Sequence, residues 1–202
     1  MFHKKHAGVP FLLLMLTLPG CISIGAKPPA QLLSLDPAQK VAAGTVRTVA
    51  AGTSITVADP DAPKALDTVR VPVRITPTSL AYVTKVQWAD TPRHLFQKLL
   101  SETIAASSNR IVLDPGQYSA DAGQRLMGEL VEFGLDEPSN SAVVTYDAII
   151  AGPGGTAIAR QRFTATAPVG GKIDAANIGV PLNAAANKVA ADVAAWVAST
   201  GR

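Results

Sequence analysis

Apolar residues recur along this chain at two spacings, and the change from one to the other separates sheet-forming from helix-forming stretches. The segment "GTSITVADP" (52–60) alternates Ile55 and Val57 with polar neighbours. In "LDTVRVPVRITP" (66–77), Val69, Val71, Val73 and Ile75 oppose Arg70 and Arg74. Period two over such lengths predicts half-buried strands. Pro72 has no amide hydrogen to give a ladder, which places the second strand at a sheet edge or a bulge. "SLAYVTKVQWAD" (79–90) follows, rich in strand formers. The spacing then lengthens. In "DTPRHLFQKLLSETIAASS" (90–108), Leu95, Phe96, Leu99, Leu100, Thr103, Ile104 and Ala106 fall on one helical face, with Asp90 or Thr91 as N-cap, Pro92 at the first helical position and Asn109–Arg110 at the end.

"RIVLDP" (110–115) reads as a short buried strand, whereas "RLMGELVEFGLDE" (125–137) fits both periods. Leu126 and Leu130, or Met127, Val131 and Leu135, suit a helix; Val131, Phe133 and Leu135 against Glu132 and Asp136 suit a strand, and the two glycines inside tilt the balance towards strand. "SAVVTYDAIIAGPGGTAIARQRFTATAP" (141–168) is two strands around a "GPGG" turn. Those glycines are no phosphate cradle, because neither a lysine nor a helix follows them. The final stretch, 179–200, places Leu182, Ala185, Ala186, Val189, Val193, Trp196 and Val197 opposite Lys188 and Asp192, a helix started by Pro181 whose alanines permit close approach to a sheet. The order predicts an α+β fold: a mixed, largely antiparallel sheet with two helices packed on one face.

The first 20 residues belong to neither pattern. A basic start (His3, Lys4, Lys5, His6) precedes an apolar run from Val9 to Leu18, the layout of a secretory leader. The run is about half the ~20 apolar residues a membrane span needs. It ends in Leu18-Pro19-Gly20-Cys21, around the single cysteine of the chain. This resembles the lipobox of bacterial lipoproteins, in which the thiol receives a diacylglycerol, the leader is cut before it and the new amino terminus is acylated, palmitate being the representative chain. Ile22 stands where an aspartate would imply inner-membrane retention, so the resemblance implies the outer membrane. A buried structural cysteine or a nucleophile are the alternatives, and a nucleophilic thiol needs a base beside it. The chain therefore divides into a leader (1–20), a lipidated, proline-bearing tether (21–34) entering the fold near "AQLLSLDPA" (30–38), and one folded domain (35–202).

Composition narrows the chemistry. The full chain carries 18 Lys+Arg and 15 Asp+Glu; without Lys4 and Lys5 the balance is 16 to 15, and no basic stripe with interleaved aromatics implies nucleic acid. His3 and His6 leave with the leader, so His94 remains, and no histidine–cysteine set is available for zinc or haem. No cofactor and no metal are expected. His94 would have to serve any Ser-His-Asp triad, yet no G-x-S-x-G elbow exists, and a helix-start position suits it better. Trp88, at a strand-to-helix junction, is expected to plug the core under the first helix, with a partner contact as the other possibility; Trp196 is expected to pack the last helix on the sheet. Arg70 and Arg74 project from one face of their strand, either solvated or meeting an acidic partner.

Three stretches, the lipobox, "RVPVRITPTSLAYVTKVQWADTPRHLFQKLLSETI" (70–104) and "LNAAANKVAADVAAWV" (182–197), together resemble the ABC-type transport auxiliary lipoproteins. "LMGELVEFGLD" and "AVVTYDAII" fit as well, and the resemblance resolves the ambiguous segment to strand. It implies a fold similar to the amino-terminal domain of TolB, no enzymatic activity, and a lipid-anchored subunit at the periplasmic face of the outer membrane. The implied partners are an ABC permease and ATPase and an MCE-domain protein, moving phospholipid or related lipids between the membranes. Self-association into a ring suits such a role. A periplasmic lipid-binding carrier is the alternative, and a hydrolase using His94 a third reading.

Overall fold

The computed structural model describes residues 32–120, 123–152, 155 and 157–200. Cys21, the leader and most of the tether lie outside these residues. In chain order the elements are β1 (Leu32–Leu33), β2 (Ile55–Val57), β3 (Pro72–Thr76), β4 (Ser79–Tyr82), β5 (Gln87–Trp88) and α1 (Pro92–Ser107). After them come β6 (Val112–Leu113), a 3₁₀ turn at Pro115–Ala120, β7 (Gln124–Asp136), β8 (Ser141–Ala151), β9 (Ala157–Pro168) and α2 (Gly179–Thr200).

The ambiguous segment became the spine of the sheet. β7 pairs along its whole length with β8, antiparallel, and β8 pairs likewise with β9. The other edge of β7 is shared: β2 lies parallel beside Gln124–Leu126, and β3 parallel beside Leu135–Asp136. β6 continues the sheet beyond β2, and β4 beyond β3. Both glycines that blurred the reading of β7 have strand reasons. A Cβ on Gly128 would stand 1.9 Å from the Asp147 carbonyl oxygen, and one on Gly134 2.6 Å from that of Pro72, so neighbouring backbones approach where a side chain would sit.

Two expectations are corrected and one is narrowed. β2 is buried throughout, Thr56 included, because strands flank it on both sides. β3 is no edge, since β4 covers it; of the two expected settings the bulge is the one found, as a register shift between Arg74 and Thr76, with Pro72 the first residue of the strand. β6 is only half-buried, since nothing pairs beyond it among the described residues. Leu32–Leu33 pair parallel to Gln87–Trp88, a short first strand within the 30–38 stretch where the chain is expected to enter the fold as a strand or turn.

Both helices lie on one face of the sheet. α1 starts at Pro92 as its pattern requires, but neither Asp90 nor Thr91 caps the free first-turn amides; Asp90 Oδ1 instead accepts the N–H of Thr91 at 2.7 Å. Gln97, on the buried side, donates from Nε2 to the Val57 carbonyl at 3.0 Å, tying α1 to the end of β2. α2 begins two residues before Pro181 and buries Leu182, Ala185, Ala186, Val189, Ala190, Val193, Ala194 and Val197. Its small residues let it lie close to the sheet, and Trp196, half-buried, meets Phe163 of β9 edge-on at 5.6 Å. Between helices and sheet, Trp88, Phe133, Phe96 and Tyr146 form a chain of edge-to-face rings with successive centroids 5.4, 6.2 and 5.3 Å apart. Among the described residues, no helix is long and apolar enough to cross a membrane.

Candidate functional site

Residue parity puts Arg70 and Arg74 on one side of the sheet, and the structure gives each a partner within the chain. The Arg70 guanidinium carbon stands 3.7 Å from the centroid of the Tyr82 ring, a cation–π stack. Arg74 faces Asp136 at 3.0 Å and Glu132 at 3.6 Å. An acidic partner must therefore compete with these carboxylates for Arg74. Beside it lies an apolar hollow of about 300 Å³, walled by Pro63, Leu66, Pro72, Leu80 and Leu135.

Trp88 does not join this surface. It is 2 % exposed, packed on Phe133 with its indole N–H unpartnered, so burial removes it from any outward-facing set. His94 lies in the first turn of α1, half-exposed, with Nδ1 3.1 Å from Asp59 and Nε2 3.7 Å from Asp90. Both ring nitrogens face carboxylates, which leaves neither aimed at a hydroxyl nucleophile. Among the described residues, no cluster of histidine, cysteine or carboxylate side chains is arranged to hold a metal ion.

Two features escaped the sequence reading. The first is a charge cluster on the sheet face opposite the helices. Asp147 of β8 sits directly across from Arg162 of β9, accepting from its Nη2 at 2.7 Å and from Arg160 Nη2 at 3.1 Å. The Arg162 hydrogen bond, then that of Arg160, hold the carboxyl below the usual carboxylate range, against the opposing effect of burial. Its chain neighbour Tyr146 points to the other side; its hydroxyl is fully buried without a partner, and burial pushes its pKa well up. The alternation in "TYDA" and "RQRF" was visible, but not the register that sets Asp147 against Arg162.

The second is a cleft of about 590 Å³ between the β3–β4 pair and the loop that follows β9. Val73, Ile75, Val83 and Ile173 give it an apolar lining, and Lys85, Lys172, Glu137 and Asp174 supply charge. Lys85 holds a left-handed backbone, φ 64°, uncommon for a residue with a side chain. The loop is braced by its own bonds: Asp174 Oδ1 accepts the N–H groups of Ala176 and Asn177 at 3.0 and 3.2 Å, and Asn177 Nδ2 donates to the Lys172 carbonyl at 3.1 Å. Asn140 Nδ2 holds the Gly171 carbonyl at 2.9 Å. The described chain starts next to this cleft, because Leu32 pairs with Gln87, two positions beyond Lys85.

The sequence profile of the ABC-type transport auxiliary lipoprotein component matches residues 33–194, which covers the seven-stranded sheet, all of α1, and α2 as far as Ala194. The chain belongs to this family. The family is one of auxiliary transport components, named as lipoproteins, and not a family of enzymes. The fold is similar to that of a Xanthomonas campestris protein of the DUF330 family: 20 % identity, 86 % of this chain and 94 % of that one covered, TM-score 0.65. An uncharacterized protein of known structure is similar over 75 % of this chain and 96 % of its own, at 12 % identity and TM-score 0.61. These likenesses concern the fold. No curated protein matches the sequence.

Proposed function

We propose that this auxiliary component is anchored by acyl chains on Cys21 to the periplasmic face of the outer membrane. There it serves an ABC transport system with an MCE-domain protein that moves phospholipid or related lipids between the two membranes. The family match over residues 33–194 carries the transport role. The Leu-Pro-Gly-Cys stretch and Ile22 support the anchor and its membrane, since two or more acyl chains on one residue give stable attachment where a single chain is marginal. The carboxylate-bound His94 agrees with a protein that does no bond chemistry of its own. Docking to a partner, or to further copies of this chain, is supported by β9: its outer edge is unpaired among the described residues and offers a 12-residue backbone ladder.

The carrier reading asks for an enclosed apolar cavity that can leave the membrane with its cargo. The alanine-lined packing of α2 brings helix and sheet close, and the two apolar hollows described among these residues open at the surface. An accessory subunit suits this body better. Fractionation of cells expressing Cys21→Ala tests the anchor: the variant is expected to leave the outer-membrane fraction, and its full retention there would overturn the reading. Crosslinking in whole cells tests the partners, with the permease, the ATPase or the MCE-domain protein expected in the adduct.

A further inference from the structure

We infer that the cleft between β3–β4 and the loop after β9 binds a phospholipid whose headgroup carries both a phosphate and an ammonium. The headgroup lies at the charged rim and one acyl chain lies along Ile75, Val83 and Ile173. At about 590 Å³ the space falls within the range of sites that hold drug-sized ligands, room for a headgroup and part of one chain with the other chain outside. Val73, Ile75, Val83 and Ile173 line it with apolar surface, and the exposed Lys85, Lys172 and Glu137 line it with charge, the combination an amphiphile requires.

The rim chemistry selects the headgroup. Among the described residues, the side chains of Lys85, Lys172 and Glu137 have no ion-pair or hydrogen-bond partner, although each lines the same cleft. Asp174 Oδ1 accepts two backbone N–H groups, which fix the carboxylate in place and leave it charged, with Oδ2 unpartnered among the described residues. The cleft thus carries two ammonium groups and two carboxylates, with Glu137 wholly unpartnered among the described residues. A purely anionic headgroup would satisfy the lysines but meet the Glu137 carboxylate, whereas a zwitterionic one with a primary ammonium satisfies both signs. The braced 172–177 loop keeps the rim in place before a ligand arrives, which lowers the ordering cost of binding.

The position of the cleft points to a bilayer source for this lipid. Leu32 pairs with Gln87, two positions after Lys85, and the ten residues 22–31 that lead back to Cys21 could span at most about 35 Å. This placement rests on the proposed anchor; the chemistry of the rim does not.

Native mass spectrometry of the full mature chain tests the site. The protein is extracted in detergent and offered an equimolar mixture of dioleoyl phosphatidylethanolamine and dioleoyl phosphatidylglycerol. The ethanolamine adduct is expected to exceed the glycerol adduct about threefold or more. Lys85→Glu with Lys172→Glu is expected to cut it at least about fivefold. Glu137→Gln is expected to bring the two lipids towards equal retention. Ile173→Asn, on the apolar lining, is a second route to loss should the double charge reversal fail to fold, as judged by its melting curve. Equal adduct levels in the wild type and these variants would overturn the proposal, as would a preference for phosphatidylglycerol. The same spectra report the mass at Cys21, so the two readings fail separately. An acylated chain with no lysine-dependent adduct removes the cleft site alone, and an unacylated chain that keeps the adduct removes the anchor alone.

Discussion

Tyr146 and Asp147 are consecutive residues of β8, yet they belong to two different environments. Tyr146 faces the helices, in the ring chain with Phe96, and its hydroxyl finds no partner there. Asp147 faces away, under two arginines whose side chains are more than 60 % exposed. One face of the sheet is held by apolar area and ring geometry, where lost atoms leave a cavity. The other is held by charge pairs near water, where screening limits what each contributes. The contrast teaches that apolar burial is expected to carry most of the stability on the helix side, while on the other face two exposed arginines close over one buried carboxylate.

The strongest way to break this comparison is to empty the helix side. Phe133→Ala removes the ring between Trp88 and Phe96, and is expected to cost about 3–5 kcal/mol in denaturant unfolding. A loss below about 1 kcal/mol would show that the core collapses around the gap. On the open side, Asp147→Asn is expected to lower the melting temperature by no more than about 3 °C at neutral pH. Its signature lies in pH. The folded carboxyl titrates below its unfolded value near 4, so its contribution is complete above that value and is lost as pH falls through the depressed folded one. The variant should therefore show a flatter acid limb in melting temperature against pH; parallel limbs would mean that the pair contributes nothing. The smallest effect is expected at Tyr146→Phe. Removing a buried hydroxyl that has no partner should leave stability unchanged or raise it by up to about 1 kcal/mol, and a marked loss would reveal a bond the geometry does not contain.

Both helices and the β8–β9 hairpin were legible because each rests on a local period: the stripe from Leu95 to Ile104, the stripe from Leu182 to Val197, and alternation either side of "GPGG". The burial of Thr56 was not, since alternation describes one face and cannot count the strands that later flank it. Pro72 suggested an edge or a bulge for a sound reason, the missing amide hydrogen, but only β4, beyond it in space, decided for the bulge. The site was less legible still. The cleft draws on residues 73–85, 137 and 172–176, brought together by the sheet order, and no spacing announces such a set. His94 meets Asp59 across 35 positions of sequence, and that pairing exists only once α1 lies over the end of β2.

The sequence by itself determined both helices, the β8–β9 hairpin, the lipobox-like stretch around Cys21 and the scarcity of catalytic groups, because these depend on nearest neighbours and residue counts. Tertiary structure alone decided that β7 is shared by β2 and β3 along one edge, that Trp88 is buried, and that Lys85, Lys172 and Glu137 border one cleft. Those outcomes follow from register and strand order, which are set by how whole faces bury against each other and are invisible in any short stretch of chain.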